Sequence, residues 1–157
     1  EEIKILKMYI ELESLRFDQS FKWEITADQS LDSSEIFVPS LLIQPFAENA
    51  IWHGLLHKDG EKKLKISFIN FKDKHIICTI EDNGVGRNQA ALIKQNNITA
   101  KTHQSKGIQI IKERLDLFHK KTGKSAKFNI EDICDKSGTS GGTKVSIILP
   151  FYNPEEL

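Results

Sequence analysis

The chain predicts an α/β (α+β) two-layer sandwich: a mixed, mostly antiparallel sheet covered on one face by helices. Three observations predict it. Apolar residues recur at helical spacing in some segments and alternate with polar ones in shorter segments. After the first, the strand-like segments fall into pairs joined by polar turns, as hairpins are. The helical segments present apolar stripes that one face of a sheet can bury.

Taken in order, residues 1–18 read as an amphipathic helix, with Ile3, Leu6 and Ile10 on one stripe and Leu15 and Phe17 extending the apolar contact. Phe21 to Ile25 alternates apolar and polar, a half-buried strand. Asp28 to Glu35 is a polar loop. Pro39 suits the first turn of a helix running to about His53, which Gly54 ends. Leu64–Phe71 and Ile76–Ile80 are strands joined by the turn Lys72-Asp73-Lys74. Residues 84–106 hold Gly84, Gly86 and an Asn/Gln/Lys-rich stretch with few apolar anchors. They read as a long mobile connection, a type of loop that is usually functional. Gly107 to about Lys121 is a second amphipathic helix, with Ile108, Ile111 and Leu115 on one face. Ala126–Ile130 and Thr143–Leu149 are strands flanking a turn rich in Ser, Gly and Asp, and Pro150 stops the last. No internal repeat is present.

A length of 157 residues suits one domain with a real core. The 22 basic and 22 acidic side chains cancel, so net charge draws the chain to neither nucleic acid nor membrane. No apolar run approaches the roughly 20 residues that span a bilayer, and no secretory signal opens the chain. Cys78 and Cys134 each sit in an apolar strand-like run without ligand spacing. They are expected as buried, reduced thiols, in keeping with a reducing cytoplasm. The chain opens in mid-helical pattern without a capping residue or methionine, which reads as a fragment of a larger protein.

Four blocks carry candidate chemistry. In the first, Pro45 to Gly54, a helix over 39–53 places Asn49 and His53 on one face. An asparagine amide oxygen suits magnesium, which takes few protein ligands; a surface or capping residue is the plain alternative. Glu48 projects about 100° away from Asn49 around the helix and is either a helper in magnesium binding or a solvated charge. In the second block, Glu81-Asp82-Asn83-Gly84-Val85-Gly86, a carboxylate at a strand end can accept a hydrogen bond from an exocyclic amino group such as adenine's. Gly84 and Gly86 let the backbone approach a base closely. An ordinary Asp-Asn-Gly turn is the alternative. In the third, Ser105-Lys106-Gly107-Ile108, a helix start offers free N–H groups to phosphate oxygens, with Lys106 adding charge; a plain N-cap explains the serine equally. In the fourth, Gly141-Gly142-Thr143 either permits close approach to a nucleotide, with Thr143 bonding near the base, or is a simple hairpin turn. His53 is expected to line the site rather than to be phosphorylated. His57, His75, His103 and His119 show no ligand spacing and are expected at the surface.

In this order the four blocks resemble the nucleotide site of the histidine-kinase/gyrase/MutL/chaperone ATPase superfamily, whose Bergerat-type ATP-binding fold is a sandwich of the kind described. Val38-Pro39-Ser40-Leu41-Leu42-Ile43-Gln44-Pro45 through Asn49, His53-Gly54, the segment Tyr9 to Phe17, and Lys112-Glu113-Arg114-Leu115 resemble the LytS-like sensor histidine kinases in particular. The resemblance covers nearly the whole chain. It implies that residues 1–18 end the helical dimerisation and phosphoacceptor region and that 19–157 form the catalytic ATP-binding domain. It implies ATP and Mg2+ as cofactors. Asn49 would hold the metal; Asn49, His53, Asp82, Gly84, Gly86, Ser105, Lys106, Gly107, Ile108, Gly142 and Thr143 would surround the nucleotide; Glu48 and Asn49 would form the catalytic pair.

The implied enzyme is a protein-histidine kinase of a two-component system. It donates the γ-phosphoryl group of ATP to a histidine outside this fragment, which alone is not expected to autophosphorylate. The implied partners are the phosphoacceptor helix of a homodimeric kinase and a response regulator, often of the LytTR type. No direct nucleic acid is implied. The segment would be the cytoplasmic part of a membrane protein anchored by upstream segments. The chain departs from the pattern at three places. Pro45 stands where the hydrolysing members carry the glutamate that activates water, which counts against a stand-alone ATPase or an anti-sigma-factor serine kinase. The family pattern usually has another glycine near the position of Ser105, and it is absent here. Trp52 replaces a common lysine, and an indole makes no phosphate ion pair; it is expected to pack on the first helix. A degenerate, non-enzymatic interaction module is the remaining alternative.

Overall fold

The structure, a computed structural model, describes residues 2–31, 42–72, 74–96, 103–134, 138 and 140–150, with the backbone element alone described at 2, 94–96, 103–108 and 140. The elements run α1 (Glu2–Arg16), β1 (Lys22–Ala27), a 3-10 turn (Gln29–Leu31), α2 (Gln44–Asn49), a π-helical turn (Ala50–Leu55), β2 (Lys63–Phe71), β3 (His75–Asp82), α3 (Gly86–Asn96), α4 (His103–Thr122), β4 (Lys127–Cys134) and β5 (Ser140–Pro150). The strands form one sheet in the order β1-β2-β3-β5-β4. The β1–β2 pair is parallel and the other pairs are antiparallel, the mixed sheet expected. Parallel neighbours need a crossover, and α2 lies in the segment that provides it.

Strand alternation decides which face is covered. On β2 and β3, Leu64, Ile66, Phe68, Ile76, Cys78 and Ile80 are buried, and Val145, Ile147 and Leu149 join them from β5. Leu6, Ile10, Phe46, Ala47, Ile51, Leu55 and Ile111 close the core from the helical layer. The opposite face carries one regular charged row and an apolar row of Ile69, Ile77 and Ile148. Glu24, Lys65, Glu81, Lys144 and Glu131 are register neighbours across the five strands, alternating in charge, and Lys144 Nζ lies 2.9 Å from a Glu81 carboxylate oxygen. Opposite charges on facing positions favour this pairing and keep the charged row solvated.

Several boundaries differ from the sequence reading. The first helix stops at Arg16, where Asp18 (φ 50°) and Gln19 (φ 53°) take left-handed conformations and the Gln19 N–H bonds back to the Ser14 carbonyl at 2.7 Å. Leu15 is exposed instead of packed, while Phe17 is half-buried. Pro39 and the loop from 32 onward lie outside the described residues; Pro45 holds the first-turn position of the described helix. That helix does not end at Gly54 but widens into the π turn and ends at Leu55, with the Leu56 N–H reaching the Ile51 carbonyl at 3.0 Å. Buried residues recur there as Phe46/Ala47, Ala50/Ile51 and Gly54/Leu55, a four-residue period. An α-helix of 3.6 residues per turn would rotate that stripe off the core, and the wider turn restores it.

Residues 86–96, read as part of a mobile connection, form α3, anchored by buried Ala90. Helix α4 begins at His103, so Ser105 to Gly107 lie within its first turns instead of before it. Strands β4 and β5 each extend beyond the expected limits. Cys78 is buried as expected, but Cys134 is exposed, because it ends the edge strand just after a register irregularity. His57 and His119 are exposed, His75 is half-buried, and His103 lies outside the described side chains.

Candidate functional site

The site is built at the end of the sheet where β3 and β5 leave the hairpin ladders. Alternation puts Ile80 and Asp82 on the covered face of β3, and Thr143 and Val145 on that of β5. Asp82 is the last residue of β3 and only 3% exposed. Its Oδ1 accepts the Gly84 N–H at 2.8 Å, and its Oδ2 accepts the Thr143 hydroxyl at 2.5 Å. Burial pushes its pKa above the usual carboxylate value of 3.8; these hydrogen bonds and the charge of Lys58 pull the other way and do not cancel it. The Thr143 backbone N–H also bonds the carboxylate, whose two oxygens offer about four acceptor positions, so one remains for a ligand donor.

Glycines make room for this carboxylate. A Cβ on Gly54 would stand 2.7 Å from Asp82 Oδ1, and one on Gly84 would stand 2.3 Å from the Gly54 carbonyl carbon. The Val85 N–H bonds the Gly54 carbonyl at 3.2 Å, so the π turn and the Gly84 turn touch backbone to backbone. Gly142 (φ 142°) lies against the Asp82 carbonyl, where a Cβ would come within 2.0 Å of the oxygen. Gly54 therefore serves close approach instead of helix termination. Asn83, absent from the candidate set, pins the turn: its Oδ1 accepts the Lys63 N–H at 2.7 Å and its Nδ2 donates to the Glu61 carbonyl at 3.0 Å.

Around Asp82 opens a cleft of about 590 Å³, open solvent included. Phe46, Ala50, Ile80, Ile130 and Val145 give it apolar walls; Asn49, His53, Asp82 and Thr143 supply polar groups; Gly86, Arg87 and Ala90 of α3 cover it. Asn49 ends α2 and His53 lies in the π turn, so the two expected together do share the cleft. An apolar slot with a few convergent polar groups fits a flat heterocycle.

Glu48 does not line the cleft. It is exposed, and its charge reaches Tyr9 of α1, whose hydroxyl is pushed far above its ordinary range by burial, then by Glu48 and Glu13, against a hydrogen bond with Trp52. Trp52 turns to the same side: its ring meets Phe17 edge-on at 5.1 Å, and the Arg16 guanidinium sits 4.8 Å from it. The indole thus packs on the end of the first helix, as expected. The side chains of Ser105, Lys106, Gly107 and Ile108 lie outside the described residues.

The sequence reading missed the apolar walls, although Ile80, Val145 and Ile130 were findable: each stands two residues from Asp82, Thr143 or Asp132 on the same strand face. It also missed Arg87, whose guanidinium forks onto Asp132 of β4, Nε to Oδ1 at 2.8 Å and Nη2 to Oδ2 at 2.7 Å. No local signal announces a partner 45 residues away. Among the described residues, no group of three or more His, Cys, Asp or Glu side chains gathers to hold a metal. Asn49, at the wall of the cleft, offers an amide oxygen there. Magnesium fits such a site where phosphate oxygens complete its shell.

No family model matches the chain. Over 159 aligned residues it is 26% identical to the sensor histidine kinase/phosphatase LytS of Staphylococcus aureus, covering 99% of this chain and 25% of the relative. The chain thus spans about a quarter of the length of the curated relatives it matches. Among solved structures it is similar to a mycobacterial sensor histidine kinase, MprB, with a TM-score of 0.62, 16% identity, and 96% and 95% of the two chains covered. It is also similar to full-length ShkA in complex with AMPPNP, with a TM-score of 0.54, 15% identity, and 96% and 30% covered. The fold is that of histidine kinase catalytic domains, and the resemblance to LytS runs along the whole chain.

Proposed function

We propose that this chain is the ATP-binding catalytic part of a two-component sensor histidine kinase, delivering the γ-phosphoryl group of ATP to a histidine outside this segment. The observation that carries the reading is Asp82, a buried carboxylate at the end of an apolar cleft, with Gly54 against its Oδ1, the Gly84 N–H bonded to it and Gly142 against its backbone carbonyl. The cleft walls take the adenine ring. Asp82 accepts the exocyclic amino proton, and Thr143 holds the carboxylate in place. A bound amino donor lowers the cost of the buried charge, so the site favours a base that carries one. The presence of AMPPNP, an adenine nucleotide, in the similar ShkA supports the same ligand class here.

Asn49 is proposed to hold Mg2+, with the remaining ligands from phosphates and water. The ion would neutralise charge on the transferred group. Gly86 lines the cleft and leaves room for the nucleotide, while Gly84 and Gly142 pack against the backbone of Gly54 and Asp82 and so shape the turn that presents the carboxylate. Ser105, Lys106, Gly107 and Ile108, in the first turns of α4, are proposed to face its phosphates. Pro45 cannot activate water, which suits transfer to a histidine nucleophile. Glu48 is exposed, and its charge reaches Tyr9 of α1, the helix proposed to end the phosphoacceptor region. Its proposed catalytic part is at that junction, with Asn49 on the cleft side.

Residues 1–18 are proposed to end the dimerisation and phosphoacceptor region. On α1, Ile5, Met8, Leu12 and Leu15 are 38–65% exposed at alternating three- and four-residue spacing, a seam suited to a second copy of the chain. A response regulator, including those of the LytTR type, is the proposed receiver. No helix of the described residues is long and apolar enough to cross a membrane. Anchoring through other segments, with this part on the cytoplasmic side, is proposed from the likeness to LytS.

Isothermal titration with ATP and Mg2+ tests the reading. Binding in the micromolar-to-millimolar range, lost in Asp82→Asn, is expected; undiminished binding in that variant would sink the adenine assignment. This segment alone is expected not to autophosphorylate, and a stable acid-labile phosphate on it would refute that.

A further inference from the structure

Helix α3 lends Gly86, Arg87 and Ala90 to the wall of the cleft and lies against β5, but its described side chains anchor it with little apolar burial. Among its described side chains Ala90 is buried, while Leu92 is 54% exposed. Its strongest directional tie is the fork of Arg87 onto Asp132. Such bidentate pairs fix orientation as well as distance. Strand register gives the tie its meaning. Asp82, Thr143 and Asp132 are consecutive register neighbours on β3, β5 and β4. The row that would read the base therefore ends in the residue that holds the lid helix. Arg87 sits one residue after Gly86 (φ 77°), where the chain turns into α3. A restraint at that point sets the direction of the whole helix.

We propose that Arg87 and Asp132 are positioning residues: their clasp keeps α3 over the cleft and sets how long a nucleotide stays bound. The inference rests on the nucleotide reading of the cleft. Arg87 lines the cleft and Asp132 does not, so a change at Asp132 acts through the clasp. The two side chains are 50% and 29% exposed, so salt weakens their attraction.

The test uses Arg87→Gln, Asp132→Asn and the charge-exchanged pair Arg87→Asp/Asp132→Arg in the full chain. Two quantities are read: hydrogen exchange of the 86–96 amides without nucleotide, and the dissociation rate of a fluorescent ATP analogue with Mg2+. Each single variant is expected to speed both by about 3- to 10-fold, the worth of a partly exposed charged fork. The exchanged pair should recover at least half of the loss. Raising salt from about 0.05 to about 0.5 M should speed dissociation from the wild type more than from Asp132→Asn. Wild-type dissociation rates in both single variants would overturn the proposal, even if exchange quickens. A wild-type chain that binds no nucleotide overturns the nucleotide reading as well, and that failure is visible before any variant is compared.

Discussion

Replacing Asp82 by asparagine separates what this side chain does for the fold from what it does for a ligand. The amide is isosteric. Its oxygen can keep the Gly84 N–H, and its NH2 can donate to the Thr143 hydroxyl, which then accepts instead of donating. Two neutral hydrogen bonds, about 1 kcal/mol each, survive. A buried charge disappears. Burial raises the Asp82 pKa in the fold, so its contribution to stability is present below the unfolded value of 3.8 and is lost as pH rises through the folded value. At neutral pH the variant should therefore unfold at the same temperature as the wild type or a few degrees higher, at roughly 2–4 °C per kcal/mol for a domain of this size.

The difference between variant and wild type should grow as pH climbs from the acid side, since the variant lacks that titration. Binding should move the other way. The amide turns its donor toward an amino donor, and a charged hydrogen bond worth about 1.5–3 kcal/mol is lost, roughly 10- to 150-fold in affinity. Paired thermal melts across pH and titrations with Mg-ATP read both quantities. A variant that loses stability at neutral pH while keeping its affinity would refute the assignment of Asp82 as a buried ligand acceptor.

Other consequences follow from the same geometry. Gly142→Ala meets the Asp82 carbonyl and should cost more than about 2 kcal/mol, whereas Gly138→Ala (φ 80°, nothing within 4 Å) should cost only backbone strain of about 1 kcal/mol; chemical denaturation compares them. Arg16→Ala removes the cation over Trp52 and should lower stability by about 0.5–1 kcal/mol, with an altered tryptophan emission spectrum as a second sign. In the native chain Cys134 should react with a thiol reagent while Cys78 reacts only on unfolding, and two fast thiols would contradict the packing of β3. Hydrogen bonds from Arg87, then its charge, hold Asp132 below the usual carboxylate range; the clasp's contribution is present above the unfolded pKa and lost as pH falls through the folded one, so exchange in α3 should quicken on acidification after correction for intrinsic rates.

The alternation of β2 and β3 was legible because it is local: a period of two in Leu64, Ile66 and Phe68 needs no distant partner to be read. For the same reason Asp82 and Gly84 could be read together, being neighbours in one turn. The end of α2 was misread because Gly54 looks like a helix stop, while its missing side chain answers to Asp82, 28 residues on. The lid helix was missed because Ala90 is a weak apolar signal until the cleft beneath it exists. That Glu48 points about 100° away from Asn49 was legible from the helix period, but that its charge reaches Tyr9 of α1 was not.

By itself, then, the sequence determined the strand periods, the turn that ends β3 in a carboxylate, and the supply of glycines near it. These are properties of contiguous residues and their backbone freedom. Only the tertiary structure decided that β1 pairs in parallel with β2 and that Asp82, Thr143 and Asp132 stand in one row. It also decided that Arg87 pairs with Asp132 and that glycines from separate segments pack closely around Asp82 and its turn. Register between distant strands and the close approach of backbones are set by how the layers pack, and no stretch of chain carries that information alone.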